Sequence, residues 1–146
     1  MTTKSSLTLN EQLCFPVYGS TRIISRLYQP VLSKFHLNYP GYMVMLLLWD
    51  SQEIKFSQIR RQLYLNEESL LPILQELQNK NYIELQQGNS QISEVVIKIT
   101  PTGEQLKSKA RRIPFSLSKI LNTPVEELGS MHLLIRNFLN RFEKKR

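Results

Sequence analysis

The sequence predicts a mainly α fold with a small β-hairpin wing, and three observations predict it. Apolar residues recur at helical spacing through most of the chain. Asn or Thr, several times followed by Pro, stands at the entries of these apolar segments, as at helix N-termini. Two short alternating runs, 82–85 and 94–99, flank Gln87-Gly88-Asn89-Ser90 and read as the strands and tip of a hairpin.

Taken in order, residues 1–9 form a polar arm. From 10 to about 35, Leu13, Val17, Ile24, Leu27, Val31 and Phe35 mark one long helix. Pro16 places either the helix start near Phe15 or a kink just after Cys14, because proline cannot donate to the carbonyl four residues back. Pro30 marks a second bend or restart. Asn38-Tyr39-Pro40 opens a helix whose stretch 41–49 is apolar nearly all round, as in a central buried helix. A short extended piece at 54–56 follows. Ser57 can cap a helix to about Leu63, Tyr64-Leu65-Asn66 turns, and Asn66 caps a helix over 67–79 with Leu70, Ile73, Leu74 and Leu77 inward. After the hairpin, Thr100-Pro101 starts a helix to about Ile113, which Pro114 breaks. Thr123-Pro124-Val125-Glu126 is a capping box for the last helix.

The totals bound the function. At 146 residues the chain is one domain, 1–146, with hydrophobic content of 41%, charged content of 21% and a net charge of +7. Such a basic chain points to an acidic partner, nucleic acid first. No apolar run is long enough to span a bilayer, so no membrane association is expected. A single cysteine fits a reducing cytoplasm. One cysteine with His36 and His132 makes no metal-ligand cluster, so neither a metal nor a cofactor is expected. An enzyme is not expected either: Cys14 has no histidine within helical reach to activate it.

Helix, turn, helix and hairpin over 54–100 is the order of a winged helix-turn-helix, whose second helix enters the major groove. The last helix carries Leu128, Met131, Leu134, Ile135, Phe138, Leu139 and Phe142. This stripe is long for a terminal helix. Together with the first helix it is read as a homodimer interface, 10–35 and 101–146 being the dimerisation helices. The competing reading is that it covers the domain's own core.

The stretches Gln12-Leu13-Cys14-Phe15, Tyr39-Pro40-Gly41-Tyr42, Leu46-Leu47-Leu48-Trp49, Leu63-Tyr64-Leu65, Leu71-Pro72-Ile73-Leu74 and Ile97-Lys98-Ile99-Thr100 carry a resemblance. Over them the chain is similar to the MarR family of dimeric winged-helix regulators, on the branch that senses organic hydroperoxides. The resemblance implies a one-cysteine switch: Cys14 falls on the peroxide-reactive cysteine, and Tyr18, Tyr28 and Tyr39 on the tyrosines around it. In that branch the reduced dimer binds an operator and oxidation releases it. Phenol hydroxyls can donate to a thiolate and stabilise it, and the thiolate is the form that peroxides oxidise. Tyr18 lies one turn after Cys14, on the same helix face. Tyr28 lies about 21 Å along a straight helix, so it meets Cys14 only across a dimer. An apolar lining of Phe15, Val17, Val44 and Leu47 would favour organic over inorganic hydroperoxides. Pro16 departs from the branch, which usually has an aliphatic residue there.

The DNA-reading surface departs further. Between 64 and 94 stand Glu67, Glu68, Glu76, Glu84 and Glu94 against a single Lys80. Family members usually carry lysine or arginine where Gln75-Glu76 and Gln78-Asn79 stand here, and a wing Asp-x-Arg where Gln91-Ile92-Ser93 stands. Candidate contacts to double-stranded DNA are Lys55, Arg60, Arg61 and Lys98 for phosphate, and Ser69 and Gln75 for base edges. Two functions follow. The first is a redox-responsive DNA-binding regulator. The second is a winged-helix protein that has lost or weakened DNA binding and acts on a protein partner through its acidic face.

Overall fold

The structure, a computed structural model, describes residues 8–86 and 91–143. The hairpin tip 87–90, most of the N-terminal arm (1–7) and the terminal Lys144-Lys145-Arg146 lie outside the described residues. The chain forms two compact units, 1–111 and 112–146.

In the first unit a 3-10 turn, Leu9–Glu11, precedes α1, Cys14–Leu32. The helix therefore starts at Cys14 with Pro16 in its first turn, in keeping with the expected start near Phe15 and not with a kinked helix from residue 10. Pro16 is its third residue, where a missing N–H costs no helical bond. Pro30 does not restart the helix, which runs on through it to Leu32. The proline stands two residues from the end, where one lost bond is tolerated, and the chain then tightens into a 3-10 turn, Ser33–Phe35.

α2, Tyr39–Ser51, begins at Asn38, whose Oδ1 accepts from the Gly41 amide at 2.8 Å. It is the core helix: Tyr42, Val44, Met45, Leu48 and Trp49 are all buried. Each such side chain contributes roughly 1.5–3 kcal/mol by leaving water.

β1, Glu53–Lys55, leads directly into α3, Phe56–Leu63. The cap of α3 is Lys55, not Ser57. Gln58 Oε1 accepts from the Lys55 amide at 3.1 Å, which leaves Ser57 inside the first turn. Tyr64 turns the chain with φ 55°, and Asn66 Oδ1 accepts from Ser69 N at 2.8 Å to start α4, Glu67–Asn79. Leu70, Leu74 and Leu77 are buried along α4, with Ile73 half-buried beside them.

β2, Ile83–Gln86, and β3, Val96–Ile99, pair antiparallel. β3 starts two residues later than the sequence suggests, because Ile92–Glu94 coils into a 3-10 turn. β1 pairs on the other edge of β3, giving the order β1-β3-β2. The register sets Ile54 and Leu85 opposite Ile97, and Ile83 opposite Ile99, on the inner face.

Tyr82 ties several elements together. Its amide donates to Leu77 O, its carbonyl accepts from Thr100 N, and its hydroxyl donates to Phe35 O at 3.1 Å. α5, Pro101–Ala110, is capped by Thr100, whose Oγ1 accepts from Gly103 N at 3.1 Å and donates to Asn81 O at 2.6 Å. Gly103 is required by close approach. A Cβ there would lie 2.2 Å from Tyr82 O, and its own carbonyl accepts from Trp49 Nε1 at 2.9 Å. α5 stops at Ala110, short of the expected Ile113.

In the second unit, α6, Ile113–Leu121, carries Pro114 in its first turn, so this proline opens a helix where the sequence reading had it ending one. α7 is Val125–Glu143. The expected capping box does not form. Thr123 Oγ1 donates to Leu121 O at 2.9 Å, and the first helical bond runs from Leu128 N to Pro124 O. α7 buries none of its residues, and Met131, Leu134, Ile135, Phe138 and Phe142 are all exposed. Among the described residues no helix is long and apolar enough to cross a membrane.

Candidate redox site and nucleic-acid interface

Cys14 is the first residue of α1, and its thiol is free and exposed. Pro16 and Val17 follow in the same turn, with Val17 exposed and Phe15 at the edge of exposure. Tyr18 sits one turn further on and is 64% exposed. Among the described residues no hydrogen bond joins Cys14 to a phenol. Of the expected apolar lining, Val44 is fully buried in the chain's own core, so it cannot face the thiol. Leu47 is half-buried, and the neighbouring Leu46 is a large apolar side chain of α2 that reaches solvent.

Tyr28 lies near the far end of α1, where that helix packs on the start of α2. Its ring centroid is 5.1 Å from that of Tyr39 and 5.8 Å from that of Tyr42. Tyr42 in turn meets the Trp49 ring edge-on at 6.2 Å. The structure therefore brings Tyr28 and Tyr39 together, adds Tyr42, and leaves Cys14 and Tyr18 apart from them within one chain. Burial, then the adjacent Tyr42 and Tyr39, push the Tyr28 phenol up to about 12. Burial also raises the Tyr39 phenol, and burial followed by Tyr39 raises that of Tyr42. At neutral pH all three O–H groups are intact donors.

The sequence places Tyr42 in the core and does not group it with the tyrosines expected around Cys14. The signal was present: Tyr39 and Tyr42 are three residues apart at a helix start, hence neighbours on one face.

On the helix-turn-helix side, Lys55 Nζ pairs with Glu94 Oε2 at 2.7 Å. Arg60 is half-buried with its Nε sealed from solvent and unpartnered, and Arg61 is exposed. Ser69 and Gln75 are exposed on α4. Lys98, half-buried on the central strand, stands opposite both Glu53 and Glu84.

Two of the five acidic residues of this region, Glu76 and Glu94, are held in ion pairs. Glu76 accepts from Asn38 Nδ2 at 2.9 Å and pairs with Lys80, whose Nζ also donates to His36 O. That cluster fastens the C-terminal half of α4 to the cap of α2. Glu94 is held by Lys55, and Glu84 flanks Lys98. Glu67 and Glu68 remain, in the first turn of α4, where negative charge suits the helix macrodipole.

Comparison with known proteins adds the following. The chain is 30% identical over 139 residues to the organic hydroperoxide resistance transcriptional regulator of Bacillus subtilis strain 168, with 95% of each chain covered. Its fold matches that of reduced AbfR bound to DNA with a TM-score of 0.72 and 25% identity, over 92% of this chain and 93% of that one; AbfR comes from Staphylococcus epidermidis. AbsC, a MarR family transcriptional regulator from Streptomyces coelicolor, shares the fold with a TM-score of 0.74 over 97% of this chain and 99% of that one, at 16% identity. No protein-family model matches the chain.

Proposed function

We propose that this chain, which belongs to the MarR family of winged-helix transcriptional regulators, is a cytoplasmic redox-responsive regulator that binds double-stranded DNA as a homodimer, with oxidation of Cys14 by organic hydroperoxides as its switch. It works as a regulator and not as an enzyme. The observation that carries the reading is the separation of one exposed thiol from a clustered set of protonated phenols, on a chain with an uncovered apolar surface. A second copy supplies what one chain lacks. Leu13 at the cap of α1 and Val17, Tyr18 and Ile23 within it are exposed, and α7 exposes the stripe from Met131 to Phe142. Exposed apolar surface of this kind, on each helix by itself, marks an interaction site. Pairing of two copies through these helices covers it and brings Tyr28 and Tyr39 of one protomer toward Cys14 of its partner.

The chemistry is balanced without a cofactor. The Cys14 thiolate attacks the outer peroxide oxygen, the O–O bond breaks, the peroxide leaves as an alcohol, and the sulfur becomes a sulfenate that takes a proton from water to give the sulfenic acid. A small thiol then condenses with the sulfenic acid, forming a mixed disulfide and releasing water. Donation from protonated phenols favours the thiolate beforehand. The added polar group disturbs their packing afterwards, and the two reading heads lose their spacing on the operator.

The protein-binding alternative has less support. Its premise was an acidic reading head, and Glu76, Glu84 and Glu94 each have a lysine beside them.

The test is a screen of genomic fragments with reduced and cumene hydroperoxide-treated protein, with Cys14→Ser in parallel. The expected result is operator binding by both reduced proteins and release on oxidation for the wild type alone. Release that persists in Cys14→Ser would overturn the switch. Absence of binding by reduced protein would overturn the DNA-binding role.

A further inference from the structure

The outward face of α4 has an unusual chemistry for a helix that reads DNA. Glu68, Leu71, Pro72, Gln75, Gln78 and Asn79 are all exposed, and their spacing of three, four and seven residues places them along one stripe. The opposite face is used up by Leu70, Leu74 and Leu77. Lys80, the only cation of this segment, is turned away to Glu76 and the His36 carbonyl. The commonest specific contact, an arginine or lysine on guanine O6 and N7, is therefore unavailable to this helix.

What the stripe offers is an acceptor, an apolar group and an amide. Glu68 is exposed in the first turn, and among the described residues it makes no ion pair or hydrogen bond. An ionised carboxylate only accepts. In the major groove it needs a base that presents a donor without an adjacent acceptor. Adenine sets its N7 acceptor beside the N6 amino group, and guanine presents two acceptors. Cytosine presents the N4 amino donor alone. One turn on, Leu71 is 38% exposed, a side chain suited to a thymine methyl. Gln75 follows at the spacing for adenine.

Resting on the DNA-binding reading above, we propose that Glu68 is a specificity-determining residue that selects a cytosine in each half-site. Residues at the N-terminal end of a recognition helix are the ones that meet base edges, and Glu68 is the second residue of α4. A glutamate serving the helix macrodipole alone would repel all duplexes equally.

The experiment uses the reduced full-length protein. Duplexes selected from a randomised pool define the site, and fluorescence anisotropy then measures every single-base variant. One cytosine per half-site is expected, with its replacement weakening binding about tenfold. Glu68→Ala should level the four bases at that position and leave preferences elsewhere intact. Glu68→Gln should move the preference to adenine, because an amide both donates and accepts. If both variants tighten binding to every duplex alike, or leave the base preferences unchanged, Glu68 reads nothing and the inference fails. If the reduced wild type enriches no duplex at all, the DNA-binding reading itself fails and takes the inference with it.

Discussion

Asn38 joins the start of α2 to α4 through both ends of one amide, so its replacement separates two effects. Oδ1 caps α2 through Gly41 N at 2.8 Å, and Nδ2 donates to Glu76 Oε2 at 2.9 Å. Asn38→Ala loses a helix cap, about 1 kcal/mol, and a part-buried hydrogen bond to a carboxylate that keeps its lysine, about another 1 kcal/mol. The expected loss is about 2 kcal/mol. Asn38→Asp keeps the capping oxygen but sets a second carboxylate against Glu76. Two unit charges 4 Å apart repel by roughly 4 kcal/mol at an effective dielectric of about 20, an upper bound that rotation and water reduce. This variant is therefore expected to fall at least as far as Asn38→Ala, although its cap is intact. Adding Glu76→Gln to Asn38→Asp removes the repulsion and restores a donor. The combination should recover about 1 kcal/mol relative to Asn38→Asp, whereas Glu76→Gln alone, which loses the Lys80 pair, should destabilise. Urea unfolding at one fixed protein concentration measures all four states, since association also contributes to stability. An Asn38→Asp protein as stable as the wild type, or a Glu76→Gln effect of the same size and sign in both backgrounds, would refute the reasoning.

Three further outcomes are expected. Folding raises the Tyr28 phenol from about 10 to about 12, so the folded state holds that proton more tightly. Its contribution to stability is complete below pH about 10 and is lost as the pH climbs toward 12, and absorbance at 295 nm should show a late-ionising phenol that disappears in Tyr28→Phe. Gly103→Ala places a methyl group 2.2 Å from Tyr82 O and should destabilise by about 3 kcal/mol in thermal or urea unfolding; an unchanged midpoint would mean that α5 can move off the strand without penalty. Glu94→Gln releases Lys55 from its 2.7 Å pair. Operator binding should tighten, and its logarithmic salt slope should steepen by about one if Lys55 then meets a phosphate.

The parts of the fold that depend on neighbours in sequence were legible before the structure. Asn38, Asn66 and Thr100 each announce a helix, and each caps one, because a side-chain oxygen reaching an amide three residues on is a local event. The inner face of α4 followed from its apolar period. Proline was the poorer guide. Pro30 and Pro114 looked like breaks, yet one is tolerated near a helix end and the other starts a helix, since the missing N–H matters only where a bond would have formed. The pairing of β1 with β3 was not legible, because it closes a loop of about forty residues and no local pattern encodes it. The same holds for the charges. Counting glutamates between 64 and 94 suggested a repulsive surface, but Lys55 and Lys98, which stand outside that window, come to Glu94 and Glu84 through strand pairing. At the redox site the distance from Cys14 to Tyr28 was readable from helix rise alone, whereas the stacking of Tyr28 on Tyr39 and Tyr42 needed α1 folded back on α2.

The contacts of Tyr82 give this layout a mechanical meaning. One buried ring has its hydroxyl on the 3-10 turn that follows α1, and its backbone is pinned between the end of α4 and the start of α5. A displacement of that turn would strain the root of the wing and the end of the reading helix together, because both hang on one residue.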